Sequence, residues 1–171
     1  RQMCIRDRSS VTTILLKLML LPIWQRLLSI ALYLIPWSDT IPFGRNLFLE
    51  FAWLQWISVP ALPILILERG VPFGGLLIFF VLFLGVVRNP KIPYFLRFNT
   101  LQALLIDIAV VLISYAFQII LLPLGNSLLL NTLSSTVLIA VLAMVIFAFT
   151  ECLKGNEPDL PIVSEAVKMQ L

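Results

Sequence analysis

Long apolar runs, separated by short charged segments, are the feature that most constrains the fold of this chain. Four of them lie at about residues 50–68, 71–88, 98–122 and 128–151. Each is close to the roughly 20 residues that a helix needs to cross the hydrocarbon core of a bilayer. Charged residues make up only 12% of the 171 residues, against about 25% in soluble domains. The runs therefore predict an all-α integral membrane bundle of four transmembrane helices over residues 46–153.

The side chains that the sequence lacks exclude several classes of protein. There is no histidine, and the two cysteines, Cys4 and Cys152, are far apart. His-based catalytic sites, zinc motifs and closely spaced cysteine ligands are therefore absent. We expect no enzymatic activity, no metal and no cofactor. The cations lie in short loops between apolar runs, which indicates membrane orientation rather than nucleic-acid binding.

The two ends of the chain differ from the apolar centre. Residues 1–10, RQMCIRDRSS, match nothing downstream in character and resemble translated adapter sequence. We expect them to be non-native or disordered. At the other end, residues 154–171 form a polar C-terminal tail.

The N-terminal segment at 11–45 is expected to contain an interfacial amphipathic helix. Only 12 residues separate Arg26 from Asp39, which is too few to span a bilayer. On a helical wheel the polar side chains share one narrow face, and they are Gln25, Arg26, Ser29 and Tyr33. That pattern is typical of a helix lying in the interface plane. The alternative is that Val11–Leu34 forms a span in spite of its two cations.

The cations lie almost entirely on one side of such a bundle. With four spans both termini share one side, which then holds eleven of the twelve lysines and arginines, and only Arg69 faces the other side. Because cytoplasmic loops of membrane proteins are enriched in lysine and arginine, both termini are predicted to lie in the cytoplasm or in its organellar equivalent, the stroma or matrix.

One acidic residue interrupts the third run. Asp107 lies about 14 Å into it at 1.5 Å per residue, where a carboxylate costs about 2.5 to 3.5 kcal/mol on insertion scales. Within a sector of roughly 40° of the same helix lie Thr100, Asp107, Ser114 and Gln118. This polar stripe is expected either to hydrogen-bond to a neighbouring helix or to face a water-filled path, and the sequence leaves both open.

Two further sets of residues are candidates for contacts. A cationic loop precedes the third run and consists of Arg88, Lys91 and Arg97. It is either the ordinary positive-inside anchor or a contact for anionic lipid or an acidic partner. The fourth run has a small-residue face that permits close helix packing, formed by Thr132, Thr136, Ala140 and Ala143.

The segment Val86–Ile108, VVRNPKIPYFLRFNTLQALLIDI, resembles the signature of the Tic-twenty family. This is the twenty-kilodalton subunit of the Tic protein-import translocon of the chloroplast inner envelope, with cyanobacterial homologues. The resemblance extends to RLLSIALYLIP, IPFGRNLF, RGVPFGGLLIFFVLFLGVVRNP and LPIVSEAVKMQL, and covers nearly all of Arg26–Leu171. It implies a multi-pass protein of four helices in the inner envelope or a cyanobacterial membrane, with both termini on the stromal or cytoplasmic side. It supplies no catalytic residues.

The resemblance implies a translocon subunit that lines or scaffolds a path for preproteins, with other Tic subunits and preproteins as partners. Four spans enclose little volume, so a pore is expected to need other chains or a homo-oligomer within the surrounding membrane lipids. The alternatives are a small-solute or ion transporter and a purely structural membrane partner. A single mid-membrane charge and the absence of a convincing repeat argue against the transporter.

Overall fold

The computed structural model describes residues 21–121, 123, 128–160 and 163–170. All regular elements in these ranges are helical, which confirms the predicted all-α class. Three helices are long and apolar enough to cross a membrane, and a bent pair makes a fourth span if it is counted as one. The predicted non-native residues 1–10 lie outside the described ranges.

Helix α1 comprises Ile23–Glu50 and is one of the three long apolar helices. Its 28 residues extend about 40 Å, against about 30 Å of hydrocarbon. The helix continues through a 3₁₀ turn at Ile41–Gly44. It therefore continues past residue 45, where the segment expected to contain the interfacial helix ends.

The polar face predicted for the interfacial helix exists, but it points into the protein. Its buried side chains are Gln25, Arg26, Ser29 and Tyr33, and the exposed ones on the other faces include Trp24, Leu27 and Leu28. A helix in the interface plane would turn its polar face to water instead. The helix is a candidate span by length and composition, and the interfacial placement of its first part stays a prediction.

The next two helices, α2 (Ala52–Gly70) and α3 (Gly74–Val87), meet at a break where the chain bends by 107°. Helix α2 begins as a 3₁₀ helix that contains Pro60, because proline removes a backbone donor and disturbs α-helical pairing. Helix α3 ends in a π-helical turn at Phe83–Val87. The break itself, at residues 71–73, is the sharpest irregularity in the described chain.

Helices α4 (Tyr94–Ile120) and α5 (Leu128–Lys154) have 27 residues each. They coincide closely with the third and fourth apolar runs. A short helix, α6 (Val163–Gln170), packs against α4 with its buried Val167.

Helix α1 runs antiparallel to α5 and parallel to α4. At one end the Arg26 Nη1 donates a hydrogen bond to the Leu153 carbonyl at 3.4 Å. At the other end the Ser134 hydroxyl donates to the Phe43 carbonyl at 2.6 Å, and the rings of Phe43 and Phe117 lie 5.2 Å apart. The first of these ends is called the cationic end below, because its described residues include Arg26, Arg88, Lys91, Arg97 and Lys154.

The bent pair connects the two ends of the bundle. Phe51 alone separates α1 from α2. Helix α2 packs along the second half of α1, whereas α3 packs on the first half of α4. The Arg97 Nε donates to the Val87 carbonyl at 2.8 Å, which holds the end of α3 at the cationic end. If α1 crosses the membrane, α2 and α3 together make one broken crossing.

The helices of the structure group the apolar residues before Arg88 differently from the predicted spans. The stretches 50–68 and 71–88 were expected to cross separately, yet neither α2 nor α3 alone is long and apolar enough. If α1 is one of the crossings, the pair counts as a single further one. Arg45 lies at the end of the bundle opposite the cationic end, and Arg69 lies beside the break. The eleven-to-one distribution of cations therefore requires that α1 does not cross, and it stays a prediction.

Candidate functional site: an acidic cluster at a broken helix

Three carboxyl groups from three helices meet at the break. The side chain of Asp39 on α1 is a neighbour of Glu68 on α2 and of Asp107 on α4. The Ser38 hydroxyl is 3.1 Å from the Glu68 Oε2, and the charge of Arg69 acts on Asp39 and Glu68. We call Asp39, Glu68 and Asp107 the acidic cluster.

The acidic cluster lies at the middle of the bundle. Ser38 is the sixteenth of the 28 residues of α1, and Asp107 is the fourteenth of the 27 residues of α4. Both positions are about 20 Å from the start of their helix. Ionisable side chains at this depth are costly and usually mark ion or proton sites, or pair with one another. Among the described residues, however, no group of His, Cys, Asp or Glu is arranged to hold a metal ion.

Local sequence explains why α1 brings polar groups here. Pro36 lacks a backbone donor, so the helix around it depends on side-chain hydroxyls. The Ser38 hydroxyl lies 2.8 Å from the Ile35 carbonyl, and the Thr40 hydroxyl bonds the Pro36 carbonyl. Ser38 can therefore direct its proton either to its own helix or to Glu68.

The break has its own local causes. Phe73 adopts a left-handed conformation with φ of 58°, which is uncommon for residues other than glycine. Gly74 packs directly on the Glu68 carbonyl, where a Cβ would collide with backbone. Only glycine fits this close approach, so the sharp bend and the position of Glu68 depend on the same residue.

The predicted polar stripe is divided between two environments. Thr100 is fully buried and bonds the Leu96 carbonyl of its own helix at 2.6 Å, and Asp107 belongs to the acidic cluster. Ser114 and Gln118 lie 3.5 Å apart and line a groove of about 200 Å³ between α1 and α5. Thr100 and Asp107 are buried in the bundle, Ser114 is half-buried and Gln118 is exposed, so a role of the whole stripe as a path stays a prediction.

The predicted cationic loop is only partly free to bind. Arg97 is engaged with the Val87 carbonyl, so it fastens α3 to α4. Arg88 and Lys91 are exposed. The loop thus has a structural role at one cation and leaves two available at the surface.

The predicted packing face of α5 is exposed rather than packed within this chain. This applies to Thr132, Thr136, Ala140 and Ala143. The buried face consists of larger residues, Leu138, Val141, Val145, Ala148 and Cys152. Packing of the small-residue face against another chain stays a prediction.

A buried hydrogen-bond network near the cationic end was not predicted. The Asn99 Oδ1 accepts from the Tyr33 hydroxyl at 3.1 Å and from the Cys152 thiol at 3.2 Å. All three residues are completely buried. The network joins α1, α4 and α5, and its polar groups are satisfied within the protein as buried polar groups generally must be.

An open polar groove lies between α1 and α5 at the end opposite the cationic end. Its volume is about 400 Å³, and its polar lining residues are Asn46, Glu50, Asn131, Thr132, Ser135 and Thr136. The Asn46 amide donates to the Asn131 Oδ1 at 2.6 Å, which joins α1 to α5 within the groove lining. We call this the α1–α5 groove.

These features define a class: a multi-pass helical membrane protein with ionisable groups at mid-depth and a polar groove at one end. A family model described as "Chloroplast import apparatus Tic20-like" matches residues 8–167. A Tic20 family protein of Synechocystis sp. is 35% identical over 148 residues, which cover 86% of this chain and 92% of the relative.

Two proteins of Arabidopsis thaliana are similar as well. They are Protein TIC 20-v, chloroplastic, and Protein TIC 20-II, chloroplastic, with 33% and 30% identity. The aligned parts cover 86% and 88% of this chain and 71% and 74% of the relatives. The chain belongs to the Tic20 family, whose members are membrane subunits of a protein translocon, and the resemblance found in the sequence is confirmed.

Proposed function

We propose that this chain forms one wall of a polypeptide path in the translocon and that other chains complete the path. The observation behind the proposal is the α1–α5 groove. Its polar side chains are accessible from outside the bundle, on helices whose other exposed residues are apolar. An extended polypeptide has backbone groups that lipid cannot satisfy. Polar groups on an open groove can satisfy them.

The interior of the bundle is less suited to this task. At mid-depth Asp107 and Thr100 are 8% and 0% exposed, so the polar stripe is closed by α1. A polypeptide would have to separate α1 from α4 to pass along it. The groove, by contrast, needs no such separation.

The sidedness that we propose follows from the cations. Leu21 and the last residue of α5, Lys154, lie at the cationic end, together with Arg88, Lys91 and Arg97. The positive-inside rule assigns this end to the stroma or cytoplasm. The α1–α5 groove then opens on the opposite side, from which an imported preprotein arrives.

Photo-crosslinking tests the proposal. Crosslinkers at Thr132 and Thr136 should capture an arrested precursor, whereas matched controls at Leu112 and Ile146, which are 63% and 56% exposed, should capture lipid or other subunits. Capture of a second copy of this chain by the groove positions would instead assign Thr132 and Thr136 to a homo-oligomeric contact. Equal precursor capture at all four positions, or at none, would leave a scaffold role as the better hypothesis.

Cysteine labelling tests the sidedness. Single cysteines at Asn89 and Asn156 in a cysteine-free background should react from one side of sealed vesicles, and one at Asn46 should react from the other. Reaction of Asn46 and Asn89 from the same side would contradict both the single crossing of the bent pair and the assignment of the groove.

A further inference from the structure

We propose that the apolar groove between α1, α2 and α3 binds one acyl chain of an anionic lipid, whose headgroup lies against the exposed cations Arg88 and Lys91. The groove has a volume of about 430 Å³. Its lining side chains are apolar and include Leu28 and Ile35 of α1, Leu67 of α2, and Leu77 and Val81 of α3. The inference does not require the polypeptide path proposed above, and it takes α1 as a crossing, as the length and composition of that helix permit.

The groove has the depth of one leaflet. Trp24 precedes the lining residue Leu28 by one turn on the same face of α1, and Ile35 is the last lining residue of that helix. From Trp24 to Ile35 the helix rises about 16 Å, and half of the hydrocarbon core of a bilayer is about 15 Å thick. Asp39, at mid-depth, follows one turn later. A lipid chain that enters at the cationic end therefore ends where the apolar lining ends.

The size of the groove selects a hydrocarbon chain over a protein helix. A helix with its side chains is about 10–12 Å wide, so a length of about 16 Å needs on the order of 1,300 Å³. The groove provides about 430 Å³. It is concave because the chain bends by 107° between α2 and α3, and it is uncovered, since Leu28, Leu67 and Leu77 are each about half exposed. A single flexible chain fills such a space and buries its apolar lining.

The mouth of the groove is open toward the cationic end. On α1, Trp24 is 55% exposed, and tryptophan is enriched at the membrane–water interface. On α3, Gly85 lies one turn beyond the lining residue Val81 and on the same face. Gly85 is exposed, and a Cβ there would meet nothing within 4 Å. A lipid chain can therefore continue along the α3 backbone from the groove to the end of the helix.

The cations at this end match a negative headgroup. Arg88 directly follows Val87, the last residue of α3, and Lys91 lies in the loop that follows. Both are exposed, and neither forms a salt bridge within the part of the chain that the structure describes.

The loop is held in place beside the mouth of the groove. The Arg97 Nε donates to the Val87 carbonyl at 2.8 Å, and the Lys91 backbone N–H donates to the Asn89 Oδ1 at 3.0 Å. A lysine or arginine near the membrane surface raises binding to anionic lipid by about fivefold. The groove and the loop together therefore favour an anionic lipid over a zwitterionic one.

Quenching of Trp24 fluorescence in vesicles tests the proposal. The full chain keeps Trp24 as its one tryptophan, with Trp37, Trp53 and Trp56 replaced by Phe, and is reconstituted in phosphatidylcholine. Phosphatidylglycerol brominated in the upper half of its acyl chains should bind beside Trp24 about fivefold more strongly than equally brominated phosphatidylcholine. A variant that keeps Trp56 instead, which is 77% exposed and outside the groove lining, should show no preference.

Matched variants separate the headgroup from the chain. Arg88→Gln combined with Lys91→Gln should reduce the preference for phosphatidylglycerol to about one. Gly85→Leu should obstruct the passage into the groove and lower quenching by brominated phosphatidylglycerol at least twofold. Gly75→Leu is the control, because a Cβ at Gly75 also meets nothing within 4 Å, and it should change nothing.

Three outcomes would overturn the proposal. Equal quenching of Trp24 by the two brominated lipids would show that the site does not select a negative headgroup. An unchanged preference in Gly85→Leu would mean that the loop binds headgroups without the groove. Protection of Trp24 from both lipids would assign the groove to a protein partner.

A second measurement covers the case in which the single-tryptophan chain does not fold. Native mass spectrometry of the wild-type chain, released from mild detergent with equal amounts of phosphatidylglycerol and phosphatidylcholine, should show one retained phosphatidylglycerol. The combined Arg88→Gln and Lys91→Gln variant should lose it. Equal retention of the two lipids by the wild type would contradict the assignment.

Discussion

Helix α1 and the α2–α3 pair connect the same two ends of the bundle, yet one is continuous and the other is bent by 107°. Both contain a similar tetrapeptide, IPFG at residues 41–44 and VPFG at residues 71–74. In α1 the tetrapeptide forms a 3₁₀ turn and the helix continues. In the pair it forms the break, with Phe73 in a left-handed conformation.

The difference lies in what surrounds each tetrapeptide. Gly44 packs against the Phe48 ring and against Leu138 of α5. The neighbouring helix α5 therefore contacts the turn, and α1 continues as a helix beyond it. Gly74 packs on the backbone of Glu68 instead, and Phe73 is 81% exposed. The same short sequence therefore continues a helix or breaks it according to the tertiary contacts available.

The largest expected effect is that of Gly74→Ala. A Cβ at this position collides with the Glu68 carbonyl and cannot be accommodated by side-chain movement, so the cost should exceed the about 1 to 3 kcal/mol typical of overpacking. Thermal unfolding in detergent should show it. Gly75→Ala is the matched control, because a Cβ there meets nothing within 4 Å. Equal stability of the two variants would mean that the close approach does not fix the bend.

A smaller loss is expected for Asp107→Leu. The substitution removes the contact between α4 and Asp39 of α1, and intramembrane hydrogen bonds are worth about 1 kcal/mol. Asp107→Asn keeps hydrogen-bonding capacity and should be mild. If Asp107→Leu unfolds at the wild-type temperature, the acidic cluster does not stabilise the bundle.

Gly44→Ala sharpens the comparison of the two tetrapeptides. A Cβ at Gly44 would lie 2.6 Å from the Phe48 ring and 2.9 Å from Leu138, but these are side-chain atoms that can shift. We expect a destabilisation of about 1 kcal/mol, at the low end of overpacking costs. A loss as large as that of Gly74→Ala would show that the turn in α1 is as constrained as the break.

The smallest effect concerns an acid outside the membrane. Asp159 is 2.8 Å from the Ser164 hydroxyl and 3.4 Å from the Lys168 Nζ, and these contacts lower its pKa from the ordinary value of 3.8. A lowered pKa stabilises the folded tail at pH above 3.8, and the contribution is lost as pH falls through the lower folded value. Hydrogen exchange of α6 should therefore increase slightly in acid, and Asp159→Asn should remove this dependence.

Part of the architecture could be predicted because it depends only on local composition. The runs that became α4 and α5 are uninterrupted except at Asp107, and hydropathy identifies such runs directly. The shared face of Thr100, Asp107, Ser114 and Gln118 follows from helical periodicity. The family also follows from the sequence, because its motifs are contiguous.

The acidic cluster could be predicted only in part. Asp107 stands out in the sequence because it is alone in an apolar run, whereas Asp39 and Glu68 coincide with the ends of apolar stretches. A signal did exist: Glu68 and Arg69 directly precede the Pro72 and Gly74 of the break, and charges at a broken helix are typical of membrane sites.

The sequence by itself determined that this protein is an all-α membrane protein and which faces of its helices are polar. Only the tertiary structure decided that the polar face of α1 packs against α4 and α5 and that α2 and α3 form a bent pair. The reason is that a hydropathy window counts Arg26 and Asp39 as if lipid surrounded them, whereas α4 and α5 supply Asn99, Asp107 and the Leu153 carbonyl to the polar face of α1. A membrane helix with charged residues is stable when groups in the bundle form hydrogen bonds with those residues. Here those groups are 50 residues or more away in the chain.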